Sequence, residues 1–151
     1  MAAQARGTGY LTRLIRPRGD RLDVRTHLGI DPKLVGRVVS QDDGEATVLL
    51  DTTAEMGADA QGLVHGGFVF GAADFAAMVA VNDPHVVLGA AETRFVAPVK
   101  VGEAVSAVAK VTATKGRKRI IEVVASVGER AVFQGTFTAF VLDQHVLEGR
   151  S

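Results

Sequence analysis

The stretch Phe68-Val69-Phe70-Gly71-Ala72-Ala73-Asp74-Phe75-Ala76-Ala77-Met78-Val79-Ala80-Val81 decides the fold. Only Gly71 and Asp74 interrupt an apolar run, so a helix over these residues has no polar face and must be surrounded by protein. It is too short to cross a bilayer and reads as a central core helix. It stops near Asn82-Asp83-Pro84, because the proline ring and its missing amide disfavour further turns.

Outward from the helix the pattern changes to strands. After it come runs at residues 86–96, 104–114, 120–127 and 131–142. In the second, Val105, Ala107, Ala109, Val111 and Ala113 alternate with largely polar neighbours, the mark of a half-buried strand. Pro98 and Gly102 separate the first two runs, Lys115-Gly116-Arg117-Lys118-Arg119 forms a basic hairpin tip, and Gly128-Glu129 is a turn. Before the helix, Val35, Val38 and Val39 around Gly36-Arg37, the turn Gln41-Asp42-Asp43-Gly44 and the run Ala46-Thr47-Val48-Leu49-Leu50 read as a β-hairpin. Residues 51–62 are a loop with at most one helical turn. The order β-β-α-β-β-β-β, with hairpin connections, gives an α+β fold: an antiparallel sheet curved around one apolar helix.

Composition narrows the function. A chain of 151 residues, 47% hydrophobic and 23% charged, has the make-up of one globular domain rather than a disordered chain. Seventeen basic and 17 acidic side chains cancel, so no global field draws the protein to nucleic acid or an anionic membrane, and neither is expected as a partner. Without cysteine there are no disulfides, thiolate metal sites or Cys nucleophile. The charge is uneven: Arg6, Arg13, Arg16, Arg18, Arg21 and Arg25 face only Asp20 and Asp23 in residues 1–30, a basic arm ahead of a domain at 31–143 and a tail at 144–151. Gly7, Gly9, Pro17 and Gly19 break any transit helix, and Leu11, Leu14 and Ile15 suit a short arm packing on the domain. The expected setting is cytoplasmic.

Asp74 is the most unusual residue, since a carboxylate inside an apolar helix is either paired, for example with Arg94, or kept for chemistry. Gly66 and Gly67 open the helix, where the first amides lack intrahelical partners and the dipole presents its positive end to a carbonyl or anion. His65 precedes them and is placed to bond a substrate atom or fix the loop. His27, His85 and His145 show no metal-ligand spacing, and no metal is expected. Eight residues at 1.5 Å put Gly66 and Asp74 about 12 Å apart along the axis, too far to act on one carbonyl from one chain. If both serve one reaction, the site is composite, across a two-fold axis.

The pattern His65-Gly66-Gly67, six residues, then Asp74, on a buried helix followed by antiparallel strands, resembles the hotdog-fold acyl-CoA thioesterases of the PaaI-like and 4-hydroxybenzoyl-CoA type. Gly62-Leu63-Val64, Arg94-Phe95-Val96-Ala97-Pro98-Val99-Lys100-Val101-Gly102 and Gly135-Thr136-Phe137 add to the resemblance. It implies dimers whose sheets join edge to edge, often paired as tetramers, that hydrolyse an acyl-CoA thioester without a cofactor beyond the coenzyme A of the substrate. Carried over, the Gly66 amide polarises the thioester carbonyl, Asp74 of the partner subunit is nucleophile or general base, and His65 lines the pocket with Gly67. Asp59 stands where this branch commonly has Asn or Gln, with Gln61 nearby, and no hydroxyl follows Asp74 within a turn. Arg94, Arg117, Lys118 and Arg119 are candidates for the CoA phosphates, and Phe68 and Phe75 for the acyl group. The alternative is a hotdog protein that binds acyl-CoA as a signal without cleaving it.

Overall fold

In a computed structural model describing residues 22–149, one antiparallel sheet of six strands wraps one long helix. The proposed packing of Leu11, Leu14 and Ile15 lies outside the described residues. The elements are α1 (Pro32–Val35), β1 (Arg37–Asp42), β2 (Glu45–Asp51), a 3₁₀ turn (Ala54–Met56), α2 (Gly66–Val81), β3 (Val86–Phe95), β4 (Ala104–Lys115), β5 (Lys118–Val127) and β6 (Arg130–Val141). Their order in the sheet is β1-β2-β4-β5-β6-β3. This is the hotdog fold that the sequence resemblance implies.

Alternation builds the wrapping. Val48 and Leu50 on β2, Val105, Ala107 and Ala109 on β4, Ile121, Val123 and Ala125 on β5 and Phe133, Phe137 and Ala139 on β6 are all buried, while Lys110, Glu122, Val124 and Gln134 point to the outer face. Every position of α2 from Phe75 to Ala80 is buried, so the all-apolar run has the surroundings it requires. Small residues (Ala107, Ala109, Ala125) under the helix let sheet and helix approach closely.

One boundary differs from the sequence reading. Val35 belongs to α1 rather than to the first strand, because local capping wins: the Asp31 carboxylate accepts from the Lys33 amide, Pro32 supplies a preset φ at the helix start, and Gly36 at φ 99° ends the turn. The long helix starts at Gly66 and is stopped by Asn82 in the left-handed conformation, two residues ahead of Pro84. Asn82 also ties down the N-terminal segment: its carboxamide accepts from the Arg25 amide at 2.8 Å and donates to the Asp23 carbonyl at 2.8 Å.

Gly135 shows how tightly the wall behind α2 is filled. A β-carbon there would stand 2.8 Å from the ring of Phe137 and 3.2 Å from that of Phe133, with Thr93 at 3.1 Å across the strand pair. Gly135→Ala is therefore expected to lower stability by about 1–3 kcal/mol through overpacking, read as a reduced urea midpoint at unchanged slope.

Candidate active site

The start of α2 is held by a short zipper of backbone bonds. Val64 donates to the Val99 carbonyl at 2.8 Å, Val101 to Gly62 at 2.8 Å, and His65 to Met56 at 2.8 Å. The 98–103 turn on the other side is itself fixed by buried Thr52, whose hydroxyl donates to the Glu103 carbonyl at 2.6 Å and accepts from the Gly102 amide at 3.0 Å. Glu103 closes the turn by accepting from the Lys100 amide and from Arg130, and these contacts hold its carboxyl below the usual range. The helix thus begins at a position set by two loops and a strand end.

His65 is the N-cap, at φ −62° and ψ 130°, and its side chain makes no capping bond. Phe68 donates to the His65 carbonyl at 3.0 Å, which leaves the Gly66 and Gly67 amides without a partner among the described residues. Two free N–H groups at the positive end of a helix form a donor site for a carbonyl oxygen or oxyanion. Each glycine also seats an aromatic ring. A β-carbon on Gly67 would lie 3.1 Å from the His65 imidazole, and one on Gly66 3.2 Å from the ring of Phe95. The His65 ring meets Phe68 edge to face at 6.3 Å.

Beside the Gly66 amide is a groove of about 390 Å³, lined by Leu63, Val69, Phe95, Val96, Pro98 and Val132 among others. Phe95, read in the sequence only as part of a strand, forms its wall, with its ring packed edge to face on buried Phe133 at 5.2 Å. The signal that would have found it is its place as the last strand residue before a chain that turns back to the helix start.

Asp74 is two turns down the helix. One carboxylate oxygen is buried and has no hydrogen-bond partner among the described residues, and burial raises the pKa of Asp74 from 3.8 to about 6. Pairing with Arg94 does not occur: Arg94 lies on the outer face of the sheet, in a hollow with Glu92, Glu122 and Gln134, whereas α2 covers the inner face. Asp59 is not brought to Asp74 either. Its Oδ1 accepts from the amides of Gln61 and Leu63 at 3.0 and 3.1 Å, shaping the turn before the zipper, with Gln61 exposed.

The remaining candidates are spread out. Phe68 flanks His65, while Phe75 is buried with its ring 6.2 Å from His27, away from the groove. The basic tip sits where β3 begins, since Lys118 is opposite Phe140 and Phe140 opposite Val87, whereas Gly66 lies against Phe95, where β3 ends. Within one subunit the ten residues of β3, about 30 Å, divide them. Arg117 pairs with Asp143, and Arg119 donates to the Gly116 and Lys118 carbonyls.

A curved sheet around an apolar helix, with bare amides at the helix start and a desolvated acid within it, defines a hotdog thioesterase-type protein. The thioesterase superfamily model matches residues 61–134, from the loop before α2 into β6, and the chain belongs to this superfamily. Among solved structures, an uncharacterized protein from Pyrococcus horikoshii superposes with a TM-score of 0.83 at 48% identity, over 85% of this chain and 98% of that one. A variant of the phenylacetic acid degradation protein PaaI from Thermus thermophilus gives 0.66 at 28% identity, over 72% and 95%. Among curated proteins, the chain is 50% identical over 123 residues to a methylthioribose-1-phosphate isomerase from Aquifex aeolicus and 32% identical over 111 residues to the transcription factor FapR of Bacillus velezensis. These matches take in 81% and 72% of this chain but only 27% of the isomerase and 59% of FapR, so the shared part is a domain of longer proteins. No helix among the described residues is long and apolar enough to cross a membrane.

The raised pKa makes Asp74 a source of instability near neutrality. Below pH 3.8 the folded and unfolded chains both hold the proton; as pH rises to about 6 the unfolded chain has lost it and the folded chain still binds it, and above that the fold carries a buried charge. Stability is thus lost between these values, by a total of about 3 kcal/mol. Asp74→Asn is expected to raise the urea midpoint at pH 8, with the gain shrinking toward pH 4. An equal gain at both pH values would contradict this origin.

Proposed function

We propose that the protein hydrolyses an acyl-CoA thioester to the free acid and CoA at a site shared between two subunits. The observation that carries this reading is the combination, on one helix, of Gly66 and Gly67 amides with no partner among the described residues and a desolvated carboxylate about 12 Å away along the axis. Membership of the thioesterase superfamily supports the reaction class.

The carbonyl of the thioester accepts from the Gly66 amide, which gains strength as negative charge develops on oxygen in the tetrahedral intermediate. Attack comes from Asp74 of the partner subunit or from a water that it deprotonates, and collapse expels the CoA thiolate. If the carboxylate attacks directly, water then opens the resulting anhydride. His65, held over Gly67, borders the reacting sulfur. The edge of β3 supports the shared site: Gly89, Ala90, Ala91 and Glu92 are exposed, and the strand has neither lysine nor proline to discourage pairing. Two such edges meeting antiparallel place the start of one β3 beside the end of the other, so that the partner's Arg117, Lys118 and Arg119 approach the groove from across the dyad and suit the CoA phosphates. Dimers then pair into tetramers through the remaining faces, as the resemblance implies.

A second reading has specific support: acyl-CoA binding without turnover. Phe75, Ala76, Ala77 and Met78 follow Asp74 and provide no hydroxyl to orient a water, and one group of relatives carries the name of a transcription factor.

Release of CoA thiol from a panel of acyl-CoAs decides between them. Hydrolysis is expected to rise with pH through about 6 as Asp74 ionises, and to fall by about 10³-fold or more in Asp74→Asn. Binding without thiol release across the panel would establish the second reading. The shared site has its own test. Gly66→Pro deletes the amide at a helix position that accepts proline, after a His65 backbone already extended. Randomly mixed Gly66→Pro and Asp74→Asn subunits should recover about a quarter of wild-type activity, because half the dimers contain one intact site of two. No recovery from two folded, mixing variants would place the site within one chain.

A further inference from the structure

We infer that Phe95 selects for acyl groups that are uncharged and of modest size, by standing against the Gly66 α-carbon and closing one side of the groove beside it. This rests on the reading of that amide as the thioester carbonyl site. The Phe95 ring is 56% exposed, unusual for a phenylalanine, yet it is not loose: Phe133, fully buried, meets it edge to face at 5.2 Å. The bare α-carbon of Gly66 admits the ring to 3.2 Å from where a β-carbon would be. The chain then leaves the sheet, with Val96 and Ala97 both donating to the Val132 carbonyl, so Phe95 is fixed at a corner rather than free to swing with a loop.

A carbonyl oxygen accepting from the Gly66 amide has its acyl substituent against this ring. None of the ten residues that one subunit contributes to the groove has a charged or polar side chain, and the partner's basic tip is taken by the CoA phosphates, so a second carboxylate on the acyl group would lose water without gaining a donor. The helix-start amides beside the groove are already taken by the thioester carbonyl. The volume of about 390 Å³ is at the small end of the ~300–1,000 Å³ usual for ligand pockets, which suits a single ring or a short chain. Aliphatic and arylacyl thioesters fit this description; dicarboxylic acyl thioesters do not.

The test compares hexanoyl-CoA, phenylacetyl-CoA and succinyl-CoA on the wild type, Phe95→Leu and Phe95→Ala, each checked for folding by thermal unfolding. In the wild type, kcat/KM for the two uncharged substrates should exceed that for succinyl-CoA by about 100-fold or more. That ratio should drop about tenfold in Phe95→Ala and change less than about threefold in Phe95→Leu, which keeps an apolar wall. A ratio unchanged in folded Phe95→Ala, or a wild type that favours succinyl-CoA, would overturn the inference. Should no acyl-CoA be hydrolysed, the reaction reading fails separately, and dissociation constants for the same three ligands carry the same comparison. Binding that does not discriminate among them would then overturn the role of Phe95 as well.

Discussion

A carboxylate held in an apolar helix, with no donor among the described residues for one of its oxygens, is the constraint around which this molecule is arranged. The helix bearing it has no polar face, so the sheet must curve around it, and the strands under it carry alanines that let the two layers close. That closure removes water from Asp74, and the loss of water raises its pKa to about 6. A fold selected for stability alone would place Asn or Leu there. Desolvated acids of this kind are kept where their basicity is used, at a cost in stability near neutral pH.

The same helix offers unpartnered amides at its first turn, and its rigidity fixes their separation from Asp74. That separation is the reason the proposed reaction calls on two chains at one site. The zipper between residues 62–65 and 99–101, locked by Thr52, keeps the amide end from drifting. A carbonyl site needs donors placed to within a fraction of an ångström before the charge develops. Backbone pairing on both sides of His65 supplies that placement without relying on long side chains.

Much of this was legible in the sequence, for physical reasons. An all-apolar run with one acid, followed by runs of period two separated by Gly, Pro and charged turns, leaves little choice but a sheet around a helix. The strands start and stop within two residues of the pattern. Val35 was misplaced because four residues of Asp-Pro capping outweigh an apolar pattern of similar length. Within the site, Asp74 and the Gly-Gly pair stand out by being the wrong residue types for their surroundings. Phe95 does not, since an aromatic at a strand end looks like core until the fold shows it half exposed. Nor does sequence reveal on which side of the sheet Arg94 falls: a one-residue change in register would have put it beside the helix, and the pairing of Arg94 with Gln134 sends it outward.

The two glycines carry a different meaning once the rings are in view. Gly-Gly before a helix suggests room for a ligand to approach the backbone, but here Phe95 fills the space over Gly66 and His65 that over Gly67. The opening to the amides is therefore bounded on two sides by aromatic groups, and in the proposed reaction a carbonyl there would meet N–H donors that count for more than in water. Binding and hydrolysis draw on this slot equally. The two proposed uses differ at Asp74, on whose own helix the next four residues are apolar and offer no hydroxyl beside the carboxylate. Some relatives of the chain are named as transcription factors, and a slot of this kind suits either proposed use, recognition of an acyl group or its cleavage.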